Sequence, residues 1–193
     1  MEYIVDKKEI KLGRKANKLD EFVLDFTSLL SEYVVVSGYV SILFGRSRAT
    51  EDIDLLVPKI AIDEFKKLWG RVNNKGFECI NTLNVLEAFE MLNEHAIRFA
   101  RERRPVPNIE FKIIKNDFER YVYENKIKVI MLGKELFISP IEAQITYKLF
   151  LGSEKDLEDA KHLYELFFDK IDKKELKHLI NKLKVVDQFN LIK

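Results

Sequence analysis

The chain has 193 residues, 47% hydrophobic and 34% charged, and its 33 basic and 32 acidic side chains leave a formal charge of +1. This balance suits a folded globular chain, one large domain or a core with an appendage, and excludes both a disordered chain and a global basic field for nucleic acid. Cys79 is the only cysteine, which excludes an internal disulfide framework and a cysteine-rich zinc site.

Met1 to Asp20 mixes charged and apolar residues. No apolar run is long enough for a secretory leader or a membrane span, so a cytoplasmic protein without membrane contact is expected. Leu19, Phe22, Val23, Phe26, Leu29 and Leu30 recur at helical spacing and predict an amphipathic helix over 15–32. The β-branched run at 33–37 predicts a buried strand, which Gly38 ends before a short apolar helix at 39–44. A polar, arginine-bearing loop leads to a second buried strand at 52–57, closed by Pro58.

Ile62, Phe65, Leu68 and Trp69 predict a helix over 61–72, and a weak strand is expected at 77–80. A long helix is predicted over 84–103, stopped by Pro105 and Pro107, with a third strand at 108–114. A short helix around Phe118 to Val122 and a hairpin, 126–132 with 135–138, follow. Beyond Ser139-Pro140 the pattern becomes helical, at 140–151, 155–168 and 173–184. The expected organisation is an α/β (α+β) core over residues 1–138, a mixed sheet flanked by helices, with a C-terminal helical bundle over 139–193.

The segment that carries chemistry runs from Ser37-Gly38 to Arg48-Ala49-Thr50-Glu51-Asp52-Ile53-Asp54-Leu55. Residues two apart on a strand share a face, so Asp52 and Asp54 present adjacent carboxylates while Ile53 and Leu55 face the core. Two such carboxylates repel one another, and a divalent cation relieves the repulsion; hard oxygen ligands favour Mg²⁺ or Mn²⁺. The ordinary alternative is a strand-end residue and a turn cap. Gly38, at the start of a short helix, would let a phosphate approach the main chain. Arg46 and Arg48 stand where they would meet a triphosphate or simply be solvated, and Thr50 suits a turn cap.

These residues resemble the signature of the DNA polymerase β-like nucleotidyltransferase superfamily. The resemblance implies that the Ser37–Gly38 turn holds nucleotide phosphates and that Asp52 and Asp54 bind two metal ions. It also implies a third carboxylate on a later strand, for which Glu110 is the best match; the alternative is a strand glutamate paired with Lys112. Tyr39 departs from the pattern, since many members carry a second Gly or a Ser there. Lys148 and the run Ser153-Glu154-Lys155-Asp156 resemble the helical motif of abortive-infection (AbiEii-type) toxin nucleotidyltransferases and minimal relatives. There Lys148 and Asp156 would support substrate phosphates.

The activity so implied is transfer of an NMP from an NTP to an acceptor hydroxyl, on a tRNA 3′ end or a protein side chain and, with less support, on a small molecule such as an aminoglycoside; a toxin–antitoxin system is one setting that the resemblance offers for it. Asp52, Asp54 and Glu110 would hold two Mg²⁺ or Mn²⁺ ions, Glu110 would help deprotonate the acceptor, and Ser37, Gly38, Arg48, Thr50, Lys148 and Asp156 would contact the nucleotide. The competing expectation is an antitoxin-like module that binds a partner protein through its C-terminal helices, and a homodimer suits either. Arg98, Arg101, Arg103 and Arg104 form a basic cluster at the end of the predicted long helix, fit to grip RNA or a triphosphate or merely to stabilise the helix end. His95, His162 and His178 lack metal-ligand spacing.

Overall fold

A computed structural model describes all 193 residues, Met1–Lys193. In chain order, β1 (Glu2–Ile4) and β2 (Glu9–Leu12) precede α1 (Lys18–Thr27), β3 (Val34–Val36), α2 (Gly38–Leu43) and β4 (Asp52–Val57). Next come α3 (Ile62–Asn74), β5 (Phe77–Cys79), α4 (Val85–Glu94), β6 (Ile97–Arg101) and β7 (Arg104–Ile113). The chain then forms α5 (Asp117–Glu124), β8 (Ile127–Met131), β9 (Lys134–Ile138), α6 (Ile141–Leu151), α7 (Glu154–Phe167), α8 (Lys173–Leu183) and α9 (Val186–Asn190). No helix is long and apolar enough to cross a membrane.

All nine strands join one mixed sheet in the order β1-β2-β8-β9-β3-β4-β7-β6-β5. The β4–β7 pair is parallel, with Asp52 opposite Asn108 and Asp54 opposite Glu110. On its other side β4 runs antiparallel to β3, with Val36 opposite Asp54. Alternation along β4 places Ile53 and Leu55 fully in the core while Asp52 and Asp54 stay partly open. The main cluster of buried residues extends from Ile10 through Phe26, Ile53 and Phe111 to Leu163 and Phe167, so the C-terminal helices share the apolar core of the sheet.

Two expectations are corrected. The helix predicted over 84–103 ends at Glu94, and residues 97–101 form β6, antiparallel to β7. The two-residue period was there to see, with Ile97 and Phe99 buried and Arg98 exposed between them. Pro105 and Pro107 do not stop a helix; they lie in the extended opening of β7. The first twelve residues, given no element from sequence, supply two strands, and β2 gains its place by pairing in parallel with β8.

Asp20 fastens α1 to the rest. Asn17 and Asp20 form a reciprocal capping box, and the Asp20 carboxylate also accepts from both terminal guanidinium nitrogens of Arg14 and from the Tyr39 hydroxyl at 2.7 Å. Burial by itself would raise the Asp20 pKa, but the bonds from Arg14, the Asn17 N–H and Tyr39 outweigh it and hold the carboxyl below its ordinary value. With the folded pKa below the unfolded one, the stabilising effect is complete above the ordinary aspartate range and is lost as pH falls through the folded value. Asp20→Asn should therefore cost about 3 kcal/mol at neutral pH. The gap between parent and variant should close on acidification below about pH 4, as urea melts across pH would record.

Candidate active site

Asp52 and Asp54 project from one face of β4, and Glu110 stands beside Asp54 on β7. The side chains of Asp54 and Glu110 are 19% and 15% exposed, open enough for substrate yet shielded enough for charge to matter. Between them lies the ammonium of Lys112, 2.7 Å from Asp54 Oδ1 and 2.8 Å from Glu110 Oε1. The other oxygen of Glu110 accepts from Arg98 at 3.2 Å. Burial works against the Lys112 ammonium, but Asp54 and Glu110 outweigh it and push its pKa up. Burial likewise opposes the Glu110 carboxylate, and Lys112 and Arg98 outweigh that to hold its pKa below the ordinary value.

The donor set suits a hard divalent cation. Carboxylate oxygens from Asp52 and Asp54 face one side of the sheet, and Asn108 occupies the same face opposite Asp52. The Asn108 Oδ1 is buried and has no donor, an unmet acceptor of the kind an ion's water would satisfy. No three His, Cys, Asp or Glu side chains converge closely enough to cage an ion alone. Substrate phosphates and water would have to complete the coordination, which is how Mg²⁺ is ordinarily bound.

The turn entering α2 is strained. Ser37 adopts φ 63, ψ −137, outside the usual regions for a residue with a Cβ. The Gln144 amide of α6 holds it there: its Nε2 donates to the Ser37 carbonyl at 2.6 Å, and its Oε1 accepts from the Ser37 N–H at 3.0 Å. Gly38 is needed because the Arg48 guanidinium lies on it. A Cβ built at Gly38 would sit 2.3 Å from Arg48 Nη2, and Arg48 is already committed to both oxygens of Asp159, at 3.1 and 2.9 Å. A methyl group at 38 would therefore force the Arg48 guanidinium to shift against its bonds to Asp159.

Other expected contacts fall elsewhere. The Thr50 hydroxyl donates to the Asp52 carbonyl at 2.9 Å and so shapes the turn before the carboxylates. Lys148 is 2% exposed and bonds Asp156 at 2.6 Å and Asp159 at 3.2 Å, behind Arg48 and away from solvent. Asp156 also accepts from the Ser153 hydroxyl. Lys148 and Asp156 thus brace the loop carrying Arg48. Arg98, Arg101, Arg103 and Arg104 occupy the β6–β7 hairpin instead of a helix end, and only Arg98 reaches the carboxylates. Arg101 binds Asp25 and lies over the Phe77 ring.

Sequence reasoning gave Gln144, Tyr147 and Phe118 no part in the site. A cavity of about 570 Å³ adjoins Asp54, Lys112 and Ser37, and its far wall carries Phe118, Tyr147 and Phe150. The Phe118 and Tyr147 rings stack with centroids 5.9 Å apart, and Tyr147 and Phe150 with centroids 6.3 Å apart. Tyr147 and Phe150 are three apart on α6, which puts them on one helix face. Their spacing was visible, but nothing local distinguished them from core.

No family model and no curated protein matches the sequence. Solved structures do match the fold. An antigenic nucleotidyltransferase-like protein from Paracoccidioides brasiliensis superposes with a TM-score of 0.59 at 16% identity, over 92% of this chain and 93% of that one. ANT(2″)-Ia in complex with adenylyl-2″-tobramycin superposes at 0.53 and 13% identity, over 86% of this chain and 95% of that one. The solution structure of the antibiotic-resistance factor ANT(2″)-Ia gives 0.53 at 10% identity, over 91% and 96%. The mixed sheet with its flanking helices is a nucleotidyltransferase fold.

Proposed function

We propose that the protein is a metal-dependent nucleotidyltransferase that moves an NMP from an NTP to an acceptor hydroxyl. The observation that carries this reading is the placement of Asp52, Asp54 and Glu110 on one face of β4 and β7, beside an aromatic-walled cavity of about 570 Å³. Asp52 and Asp54 would hold a divalent cation, with Glu110 next to Asp54. When bound, the cation supplies charge neutralisation at the triphosphate. Lys112 offers a cationic N–H at the mouth of the cavity, and Arg48 places a guanidinium over Gly38. Phe118 and Tyr147 supply flat apolar surface of the kind on which a nucleobase stacks.

For the acceptor, a tRNA 3′ end or a protein side chain remains the proposal. A second cavity, about 540 Å³, lies beside Thr50 and is lined by Lys18, Arg48, Arg101 and Arg104 together with Glu21 and Asp25, a mixed but net basic wall that a phosphate-bearing acceptor could meet. The similarity in fold to ANT(2″)-Ia adds small hydroxylated molecules to the acceptors worth testing. An interaction module within a toxin–antitoxin pair has one observation in its favour, the exposed Phe150, Leu166 and Phe168 of the C-terminal helices.

The test incubates the protein with each α-³²P-labelled NTP, Mg²⁺ or Mn²⁺, and total tRNA, cell lysate or an aminoglycoside. Label moved by the parent and not by the Asp52→Ala/Asp54→Ala double variant is the expected result, and the labelled product identifies the acceptor. Equal labelling by both proteins would overturn the assignment of the carboxylates. No labelling by either, with a partner retained on the helical face, would favour the interaction module.

A further inference from the structure

The Asp54–Glu110 pair already has a cation. Lys112 follows Glu110 by two residues on β7, so both side chains rise from the same face, and the lysine stem spans the gap to Asp54 across the parallel pair. Its two contacts, 2.7 and 2.8 Å, have the length of charge-assisted hydrogen bonds. Arg98 takes the second Glu110 oxygen at 3.2 Å, which leaves no Glu110 oxygen without a cationic donor. The unmet acceptor on this face is at the opposite end, where the buried Asn108 Oδ1 lies across from Asp52. Oxygen for a metal ion is therefore open at Asp52 and closed at Glu110.

We propose that Lys112 is a built-in cation that occupies the Asp54–Glu110 pair, so that this centre loads one divalent ion, at Asp52 and Asp54, where three free carboxylates would load two. This rests on the nucleotidyltransferase reading and deepens it, by assigning Lys112 as a positioning residue that sets the number of ions. Lysine has three N–H donors, two of which are used by the carboxylates. The third remains for a substrate phosphate, since Lys112 lines the cavity beside Asp54. A second divalent ion would have to displace an ammonium tethered to a strand inside the sheet, against the direct repulsion of like charges.

The experiment counts ions. Mn²⁺ binding is followed by loss of the free-ion EPR signal, with α,β-methylene-ATP and its guanosine, cytidine and uridine counterparts in turn. The parent is expected to hold one Mn²⁺ per nucleotide complex, Lys112→Met two, and Lys112→Arg one. Without nucleotide, Lys112→Met should bind Mn²⁺ on the order of tenfold more tightly than the parent, since a nearby positive charge is gone. Two ions in the parent complex would overturn the proposal and leave nucleotidyl transfer standing. One ion in the Lys112→Met complex, with circular dichroism unchanged, would also overturn it. If the parent binds no Mn²⁺ with any nucleotide, both the proposal and the metal-dependent reading beneath it fail.

Discussion

Asp54→Asn is expected to lower nucleotidyl transfer on the order of 10³-fold while the fold survives. The amide matches the carboxylate in shape, and its Oδ1 can still accept from Lys112, so the β4–β7 strand pair is not disturbed. What disappears is one negative charge at the centre of the site, between Val36 on β3 and Glu110 on β7. Because Lys112 keeps Glu110 as a partner, the loss in stability should stay within about 1 kcal/mol, as for a partly exposed ion pair. Label transfer and a thermal melt on the same preparation separate the two effects. Activity within about tenfold of the parent would show that the reaction does not run at this carboxylate.

The second large effect is on stability. Lys148→Met should destabilise the protein by about 3–5 kcal/mol, because it strips the cation from two carboxylates that stay out of water. Asp159 would keep Arg48, and Asp156 would keep only the Ser153 hydroxyl and the Ser153 and Lys155 surroundings of its helix start. For a chain of this length the melting temperature should fall by roughly 10 °C. Adding Asp156→Asn should recover part of the loss, since the two residues form one ion pair. Burial alone would raise the Asp156 pKa, but Lys148 and Ser153 hold it below its ordinary value. Its share of the stability is therefore present above the ordinary aspartate range and disappears as pH falls through the folded value. A Lys148→Met protein that melts like the parent but binds NTP weakly would instead place Lys148 on the nucleotide.

Much of the architecture was legible because it rests on local periodicity. The strand at Asp52–Val57 and the order of helices after Pro140 follow directly from where the apolar residues recur. The strand at Ile97–Arg101 carries a two-residue alternation, with Ile97 and Phe99 buried about Arg98, but five residues just after a helix are a short signal, and pairing with β7 is what fixes them as a strand. The face shared by Asp52, Asp54 and Glu110 needed a parallel pairing between segments over 50 residues apart, which the motif suggested and no local signal encodes. Gln144 is the harder case. Its value lies wholly in reaching Ser37 across 107 positions, and an isolated glutamine in a helix says nothing of that. Lys148 is a further case: its burial beside Asp156 and Asp159 depends on how α6 packs on α7, which is visible only in three dimensions.

The strand order has a consequence for how the chain assembles. β2 and β3 are not neighbours; the β8–β9 hairpin stands between them. The two ends of the sheet thus stay unconnected until residues 127–138 arrive, more than a hundred positions after β2 was made. The five strands β3 to β7 can pair before then, but joining β1 and β2 to them means closing a long loop, a slow kind of event in folding. Ser37 waits longer still, because the side chain that fixes its backbone belongs to α6 and follows the hairpin. A nascent chain synthesised only as far as β7 already carries all three carboxylates, yet it lacks the amide that gives the neighbouring turn its shape.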